Sequence, residues 1–166
     1  MKIDTLEALY QDQMAAVRNG QEQLQELFPE LLSVITHFEL RNLIRESMGE
    51  LREQIGRIER FMPENMITRQ GNESAGMRGL IEECHAFFER ATDPEIIDIG
   101  IVVAYGKMLQ VMMGSHASLQ TLAIFLSRAE EAEAFKRSLE ELAATEKKLH
   151  RLMLDIIDLD STTRAA

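Results

Sequence analysis

The sequence contains one Glu-x-x-His spacing, formed by Glu82 and His85, with Cys84 between them. Residues three apart in a helix share a face, so Glu82 and His85 could hold a metal ion together, and the Cys84 thiol beside them suits a soft metal. Helical bundles that bind metal pairs carry this motif on two of their helices. Because the chain has no second copy, the favoured interpretation is a half-buried cysteine beside solvated acids.

A second candidate is Glu146, which interrupts an otherwise apolar seam in the last part of the chain. A buried carboxylate is costly unless it is paired, neutral or bound to a metal ion. Glu146 could therefore bind a metal or another ligand, or remain protonated. It could also reach water at the edge of the seam, or pair with a basic side chain, for which the candidates are Lys147, Arg52 and Arg57.

Several histidines and methionines outside these motifs could also take part in binding or catalysis. Three histidines stand alone and are interpreted as capping, buried structural or exposed side chains: His37, His116 and His150. Three of the ten methionines could line a groove for a small molecule or a partner helix: Met108, Met112 and Met113. Methionine at helical spacing more often fills a core, which is the favoured interpretation. The sequence has no Gly-rich phosphate loop, Cys-x-x-Cys or Gly-x-Ser-x-Gly motif.

Helices must position these residues, because apolar side chains recur at helical spacing and no alternating strand pattern occurs. Five helical segments are predicted. Capping residues mark most of their starts, with an Asp or Thr three residues before a Glu, or an Asp before a proline. In chain order, the helices are predicted to begin at Asp4, at Thr36, at about residue 74, at Asp93-Pro94 and at Ser127. The third is a short helix at about 74–91, and a polar connector at 63–73 precedes it.

The fourth segment is unusually apolar, since Lys107 is the only formally charged residue from Ile99 to Ser127. A helix that is apolar on all sides must be covered on more than one side. A membrane span is the competing interpretation, but polar residues interrupt the segment, and a central charge costs about 3 kcal/mol in hydrocarbon. The sequence therefore predicts a buried helix without a membrane, and a homodimer formed through residues 94–126.

The predicted architecture is an all-α, antiparallel four-helix bundle with one short extra helix between the second and third long helices. Residues 1–160 are predicted to form a single domain, and residues 161–166 a frayed tail. The chain has 166 residues, which is long enough for a full core without disulfides or metals.

Composition narrows the function classes. The net charge of −10 argues against nucleic-acid binding, which depends mostly on basic groups. A single cysteine fits a reducing compartment, and the first ten residues are too polar for a secretory signal, so a cytoplasmic location is expected. No protein partner can be named from composition.

Short motifs in matching order extend over nearly the whole chain. They are Gln23-Leu24, Leu27-Phe28-Pro29, Glu39-Leu40, Gln54-Ile55-Gly56-Arg57-Ile58-Glu59, Met77-Arg78-Gly79-Leu80-Ile81-Glu82-Glu83, Leu119, Leu122-Ala123 and Leu139-Glu140-Glu141. In these motifs and their order, the chain resembles the YciE/YciF-type ferritin-like family of bacterial proteins. The resemblance implies a ferritin-like bundle, a homodimeric tendency and a stress-associated role that is not defined further.

The resemblance also implies where a metal site would lie. The family's inward acids and histidine, placed on this chain without gaps, fall at Gln21, Ser47, Glu50, Leu109, Met112, Leu142 and Glu146. Only Glu50 and Glu146 remain as carboxylates there, and two carboxylates cannot hold a pair of hard divalent ions. Apolar residues are then expected to fill the former metal chamber, since replacing buried charges in this way is often neutral or stabilising.

The leading hypothesis is therefore a metal-free, cofactor-free ferritin-like bundle that acts as a non-enzymatic structural or stress-associated homodimer. The alternative is a weak metal-binding or di-metal oxidase-type bundle that uses iron or manganese. Its ligands would be Glu50, Glu146 and Gln21, with Glu82 and His85 as a second-choice cluster.

Overall fold

The structure is a computed structural model that describes residues 3–67 and 74–164. Regular secondary structure in these residues is entirely α-helical, which confirms the predicted all-α class. The helices are α1 (Leu6–Val34), α2 (Phe38–Glu59), α3 (Glu64–Ile67), α4 (Ala75–Phe88), α5 (Pro94–Phe125) and α6 (Ala129–Arg164).

The first two helices begin one residue later than their capping motifs predicted. Thr5 caps α1, since its hydroxyl accepts the Ala8 N–H over 3.1 Å, so Asp4 is not the capping residue. His37 caps α2, with the Leu40 N–H 3.4 Å from Nδ1. The prediction for Thr36 was wrong because its N–H and hydroxyl bind a carboxylate on α5 instead.

Asp93 caps α5 as predicted. Its Oδ1 accepts the N–H of Glu95 over 2.9 Å and that of Ile96 over 3.2 Å. Pro94 follows at the first helical position, where its missing N–H costs nothing. The carboxylate also lies near the positive end of the helix dipole.

The connector between α2 and α4 is more structured than predicted, because Glu64–Ile67 forms one helical turn. Residues 68–73, the rest of the predicted polar connector, lie outside the described residues. Ser74 caps α4, and the helix ends at Phe88, three residues before the predicted end.

A tight turn joins α5 to α6. Ser127 has a φ of 60°, the left-handed conformation usually taken by glycine, and its N–H binds the Ile124 carbonyl. The Arg128 N–H binds the Ala123 carbonyl, which completes a Schellman motif. Ser127 therefore ends α5 rather than beginning the last helix. At its other end α6 is helical through Arg164, into the segment 161–166 predicted to fray, and residues 165–166 are not described.

Contacts between the long helices fix their relative directions. The starts of α1 and α6 adjoin, where the Tyr10 hydroxyl donates to Glu131 over 2.6 Å. The end of α2 lies beside the first half of α1, where Arg18 pairs with Glu59 at 2.8 Å. The loop after α1 contacts Asp98 near the start of α5. Helices α1 and α6 therefore run in one direction, and α2 and α5 run in the other.

Helix α4 lies against α1 and α5 and links the two pairs of long helices. The Ser74 N–H at its start donates to Asn19 over 2.7 Å, and His85 near its end lies 3.0 Å from Glu30. Helix α4 therefore runs parallel to α1. It returns the chain to the end of the molecule at which α5 begins.

Two clusters of buried apolar side chains make up the core. The larger one contains residues from five helices, among them Leu24, Phe28, Leu51, Tyr105, Leu109, Met112 and Leu142. The smaller one lies toward the start of α1 and contains Tyr10, Met14, Val17, Ile58, Met62, Leu119, Ala123, Ala132 and Phe135.

Helix α5 contributes to both clusters and is the most apolar helix. By length and composition it is the one described helix that could cross a membrane, with a mean hydropathy of 1.6 in its candidate span. Within the chain it contacts α1, α4 and α6. The remaining side leaves apolar residues exposed, among them Val103, Val111, Ile124 and Phe125.

Candidate functional site

A layer of polar side chains crosses the interior between the two apolar clusters. On each long helix it lies between a residue of one cluster and a residue of the other, for example between Val17 and Leu24 on α1 and between Met112 and Leu119 on α5. This polar layer consists of Gln21, Gln54, Arg57, His116, Ser138 and Glu141.

Hydrogen bonds connect the layer across three helices. Gln21 Nε2 on α1 donates to Gln54 Oε1 on α2 over 3.2 Å. Gln54 Nε2 then donates to Glu141 Oε2 on α6, also over 3.2 Å. Arg57 donates to both Glu141 oxygens at 2.9 and 3.0 Å and to Ser138 Oγ at 2.8 Å. One cation and one carboxylate thus neutralise each other inside the protein.

The Arg57 side chain is the charge that dominates this layer. It is 8% exposed, whereas its partner Glu141 is 23% exposed and also accepts from the outer Arg137 at 3.1 Å. A guanidinium remains charged at all accessible pH values, so a buried arginine needs a fixed anionic partner. The carboxylate of Glu141 is therefore committed to Arg57.

His116 on α5 is fully buried at the edge of the layer. Its Nδ1 lies 2.9 Å from the Met112 carbonyl oxygen, which can only accept, so Nδ1 carries the proton. Burial lowers the pKa of His116 to about 4, and the Arg57 cation lowers it as well, while the Met112 carbonyl and Glu141 oppose the shift. The imidazole is accordingly neutral near pH 7.

The neutral state of His116 predicts a pH dependence of stability. In the unfolded chain the imidazole binds a proton below about pH 6.5, whereas the folded protein resists protonation until about pH 4. The contribution of His116 is complete above pH 6.5 and is lost as the pH falls toward 4. Between pH 7 and 5 we expect it to lower the free energy of unfolding by about 2 kcal/mol.

Urea unfolding at both pH values measures this loss. His116→Gln is the control, because the amide does not titrate. We expect the loss in the variant to be about 2 kcal/mol smaller than in the parent protein. An equal loss in both proteins would show that His116 does not couple folding to pH.

The residues that the alternative hypothesis names as metal ligands each bind a different partner within the protein. Gln21 is fully buried and donates to Gln54. Glu50 accepts the hydroxyl of Thr145 over 3.0 Å, and Glu146 accepts Gln110 Nε2 over 2.9 Å. Glu146 is half-buried at an edge, as one of the sequence interpretations held, and its partner is an amide rather than a basic side chain.

The apolar residues at the positions where the resemblance implies metal ligands belong to one cluster. Leu109, Met112 and Leu142 are all buried in the larger apolar cluster, as expected from the sequence. Ser47, where the resemblance implies a histidine, is also buried. The interior beside them is not purely apolar, however, because the polar layer adjoins it. The expectation that hydrocarbon alone replaces the metal chamber was therefore incomplete.

Glu82 and His85 of the second-choice cluster lie on one exposed side of α4, where both line the same shallow groove against α1. Glu82 is 72% exposed, at 3.9 Å from Arg78, and His85 contacts Glu30 on α1. Cys84 points to the other side and is buried, which raises the pKa of its thiol to about 11. In the described residues, no group of three or more His, Cys, Asp and Glu side chains could hold a metal ion. The donor set therefore does not fit a resident metal pair.

The isolated histidines and methionines lie in a helix cap, on the surface and in the core. His37 caps α2 and His150 is exposed. Met108 and Met112 are buried in the core, and Met113 packs against it, which confirms the core interpretation and contradicts a methionine-lined groove.

Sequence reasoning missed Gln54, Arg57 and Glu141 as interior residues. A signal exists, because Gln54 and Arg57 continue the apolar stripe of α2 marked by Leu51 and Ile58. A charged residue on such a stripe indicates a buried ion pair. The identity of the partner depends on how α2 packs against α6, which spacing within one helix does not reveal.

The chain is similar to a bacterial protein over its whole length. Protein YciF of Escherichia coli (strain K12) is 25% identical over 166 residues, covering 99% of this chain and 100% of YciF. The crystal structure of that protein, described as a stress protein, matches with a TM-score of 0.87 over 94% of this chain and 99% of YciF. This confirms the resemblance inferred from the motifs.

A second solved structure shares the fold at lower identity. It is YcfI from Rhodopseudomonas palustris, described as a candidate structural protein, with 19% identity and a TM-score of 0.82. The match covers 90% of this chain and 95% of YcfI. The model of a domain of unknown function, DUF892, matches residues 5–162, and the chain therefore belongs to the DUF892 family.

Proposed function

We propose that this protein is a metal-free, ferritin-like four-helix bundle that acts as a structural, stress-associated homodimer without enzymatic activity. The observation that carries the proposal is the pairing of Arg57 with Glu141 inside the polar layer. A guanidinium fixed among the interior side chains repels cations electrostatically and occupies a carboxylate that could otherwise bind one. The layer thus supplies by hydrogen bonds the cohesion that a metal pair would supply.

The descriptions of the relatives support the physiological part of the proposal. YciF is described as a stress protein and YcfI as a candidate structural protein. Neither description names a reaction. A cytoplasmic location remains our expectation from the single cysteine, which fits a reducing compartment.

Metal content and metal-dependent stability test the metal-free state. We expect the protein, purified without chelators, to contain far less than one iron, manganese or zinc ion per chain. Added Fe²⁺ or Mn²⁺ should leave the free energy of unfolding unchanged, whereas an ion at a hundred times its Kd would raise it by about 2.7 kcal/mol.

The alternative, a weak metal-binding bundle, predicts that the purified protein contains bound metal. Near-stoichiometric metal that is lost in Glu50→Gln or Glu146→Gln would establish the remaining carboxylates as ligands. Glu82→Gln tests the second-choice cluster in the same way, and it serves as a control for the first site because Glu82 lies on the exposed side of α4. Bound metal lost only in that variant would move the site to Glu82 and His85.

The dimer is proposed to form through the exposed face of α5, in the half that follows Lys107. This face carries no formal charge, and its residues include Val111, Gly114, Ser118, Thr121 and Phe125. The Ser118 and Thr121 hydroxyls donate to the carbonyls of Gly114 and Ala117 in their own helix, so contact with a second helix leaves them satisfied. In a chain of charge −10, such a face avoids repulsion between two copies.

A charge placed on this face should separate the dimer. We expect sedimentation to show a dimer at micromolar concentration and Ser118→Glu to weaken it at least about tenfold, because two like charges would meet in the contact. Ala144→Glu adds the same charge to an exposed position of α6 and should have no effect. A stable monomer at micromolar concentration, or equal weakening by both substitutions, would contradict the proposed interface.

A further inference from the structure

A groove between α4 and α5 is lined mainly by apolar side chains and is not used by the proposed function. Its volume is about 280 Å³, near the lower limit for small-molecule sites. Cys84 is among its lining residues and is 2% exposed. The apolar lining comprises Leu80, Cys84, Phe87, Ile96, Ile99, Val103 and Ala104.

The absence of a side chain at Gly100 shapes the groove. A Cβ at this position would lie 2.0 Å from Cε1 of Phe87, so only glycine allows the ring to rest against the α5 backbone. Ile96 and Val103 remain 42% and 41% exposed nearby. Half-exposed branched side chains around a concave surface offer apolar area that a ligand could bury.

The rim of the groove is charged. Lys107 Nζ on α5 pairs with Glu83 on α4, and the ion pair is about half exposed. Arg90 also lines the groove, with its Nε bonded to the Ala86 carbonyl. Two cations and one acid therefore border an apolar recess in a chain whose net charge is −10. This local excess of positive charge is complementary to an amphipathic anion rather than to a neutral or cationic ligand.

We propose that the α4–α5 groove binds a small amphipathic carboxylate of the medium-chain fatty-acid class. The alkyl chain occupies the apolar recess, and the carboxylate binds Lys107 Nζ in place of Glu83, with Arg90 nearby. Glu83 thereby competes with the ligand for the same ammonium group. The proposal goes beyond the structural function, because it needs neither the polar layer nor the face of α5 after Lys107.

Titration with decanoate, followed by methyl NMR, tests the site. We expect saturable shifts of the Leu80, Ile96, Ile99 and Val103 methyl groups with one decanoate per chain. The methyl groups of Ile124 and Leu154 are exposed outside the groove and should not shift. Decanol has the same chain without the charge, and it should bind about fivefold more weakly if the ammonium contact contributes about 1 kcal/mol.

Substitutions in the rim ion pair should change affinity in opposite directions. Glu83→Gln removes the competing acid and should tighten decanoate binding about fivefold, whereas Lys107→Met should weaken it by a similar factor. Lys148 and Glu46 form an exposed ion pair between α6 and α2, at 3.3 Å. Glu46→Gln and Lys148→Met are therefore matched controls and should leave the affinity unchanged. A gain of affinity in Glu83→Gln cannot arise from misfolding.

Three results would overturn the assignment. The first is no binding of decanoate at millimolar concentration, and the second is equal affinity for decanoate and decanol. The third is a set of groove methyl shifts that follow protein concentration rather than decanoate, which would identify the groove as a contact between copies. None of these results bears on the metal content of the protein or on the Ser118→Glu test, so failure here leaves the proposed function intact.

Discussion

Replacement of Arg57 by methionine should lower the free energy of unfolding by about 3 kcal/mol, the largest effect expected in the polar layer. Methionine preserves most of the buried volume, so the loss arises from the charge. Glu141 would keep its carboxylate in a largely buried position without its closest cation, and Ser138 would lose its donor. The estimate lies at the lower end for broken buried pairs because Glu141 is 23% exposed.

A double substitution separates the ion pair from packing. Arg57→Met combined with Glu141→Gln removes both charges but retains an acceptor for Gln54, and we expect it to lie within about 1 kcal/mol of the parent protein. Arg137→Met is the matched control, because Arg137 contacts the same carboxylate but is 67% exposed. It should cost less than about 1 kcal/mol in urea unfolding. If Arg57→Met costs no more than Arg137→Met, the interior ion pair does not organise the layer.

Replacement of Asp98 by alanine should cost about 3 to 4 kcal/mol, because one buried carboxylate holds the loop between α1 and α2 against α5. Asp98 is 2% exposed. Its oxygens accept the Thr36 N–H at 3.0 Å, the Thr36 hydroxyl at 2.6 Å and the His37 N–H at 2.9 Å. Hydrogen bonds to a charged group are individually stronger than neutral ones, but their contributions do not add fully.

Two substitutions control for this effect in urea unfolding. Thr36→Val removes only the hydroxyl bond and should cost about 1 kcal/mol. Asp93→Ala removes an exposed capping carboxylate from the same helix and should also cost about 1 kcal/mol. An Asp98→Ala cost no greater than these would mean that the loop is held mainly by apolar packing around Ile35.

Local motifs predicted the helices well where a short stretch of chain contains all the interacting groups. Asp93 and Pro94 predicted the start of α5 because the capping bonds span only three residues. The capping motif at Thr36 failed because Asp98, 62 positions along the chain, competes for the same hydroxyl. The turn at Ser127 was also missed, since nothing in a serine marks a left-handed backbone.

The candidate site was predicted in part. The resemblance, applied to this chain without gaps, placed Leu109, Met112 and Leu142 in one interior region, and all three are buried in the larger apolar cluster. Glu50 and Glu146 are the carboxylates that this placement leaves, and their partners are Thr145 and Gln110, on neighbouring helices. Partners of this kind depend on helix rotation and relative height, which residue spacing alone does not fix.

The amino-acid sequence by itself determined the all-α class, the family and the apolar character of α5, because each follows from periodicity or from motifs in matching order. Only the tertiary structure decided which polar residues enter the interior. Arg57 and Glu141 lie 84 positions apart and meet because α2 packs against α6. The physical reason is that a buried charge needs its counter-charge in space, and helix packing sets that distance.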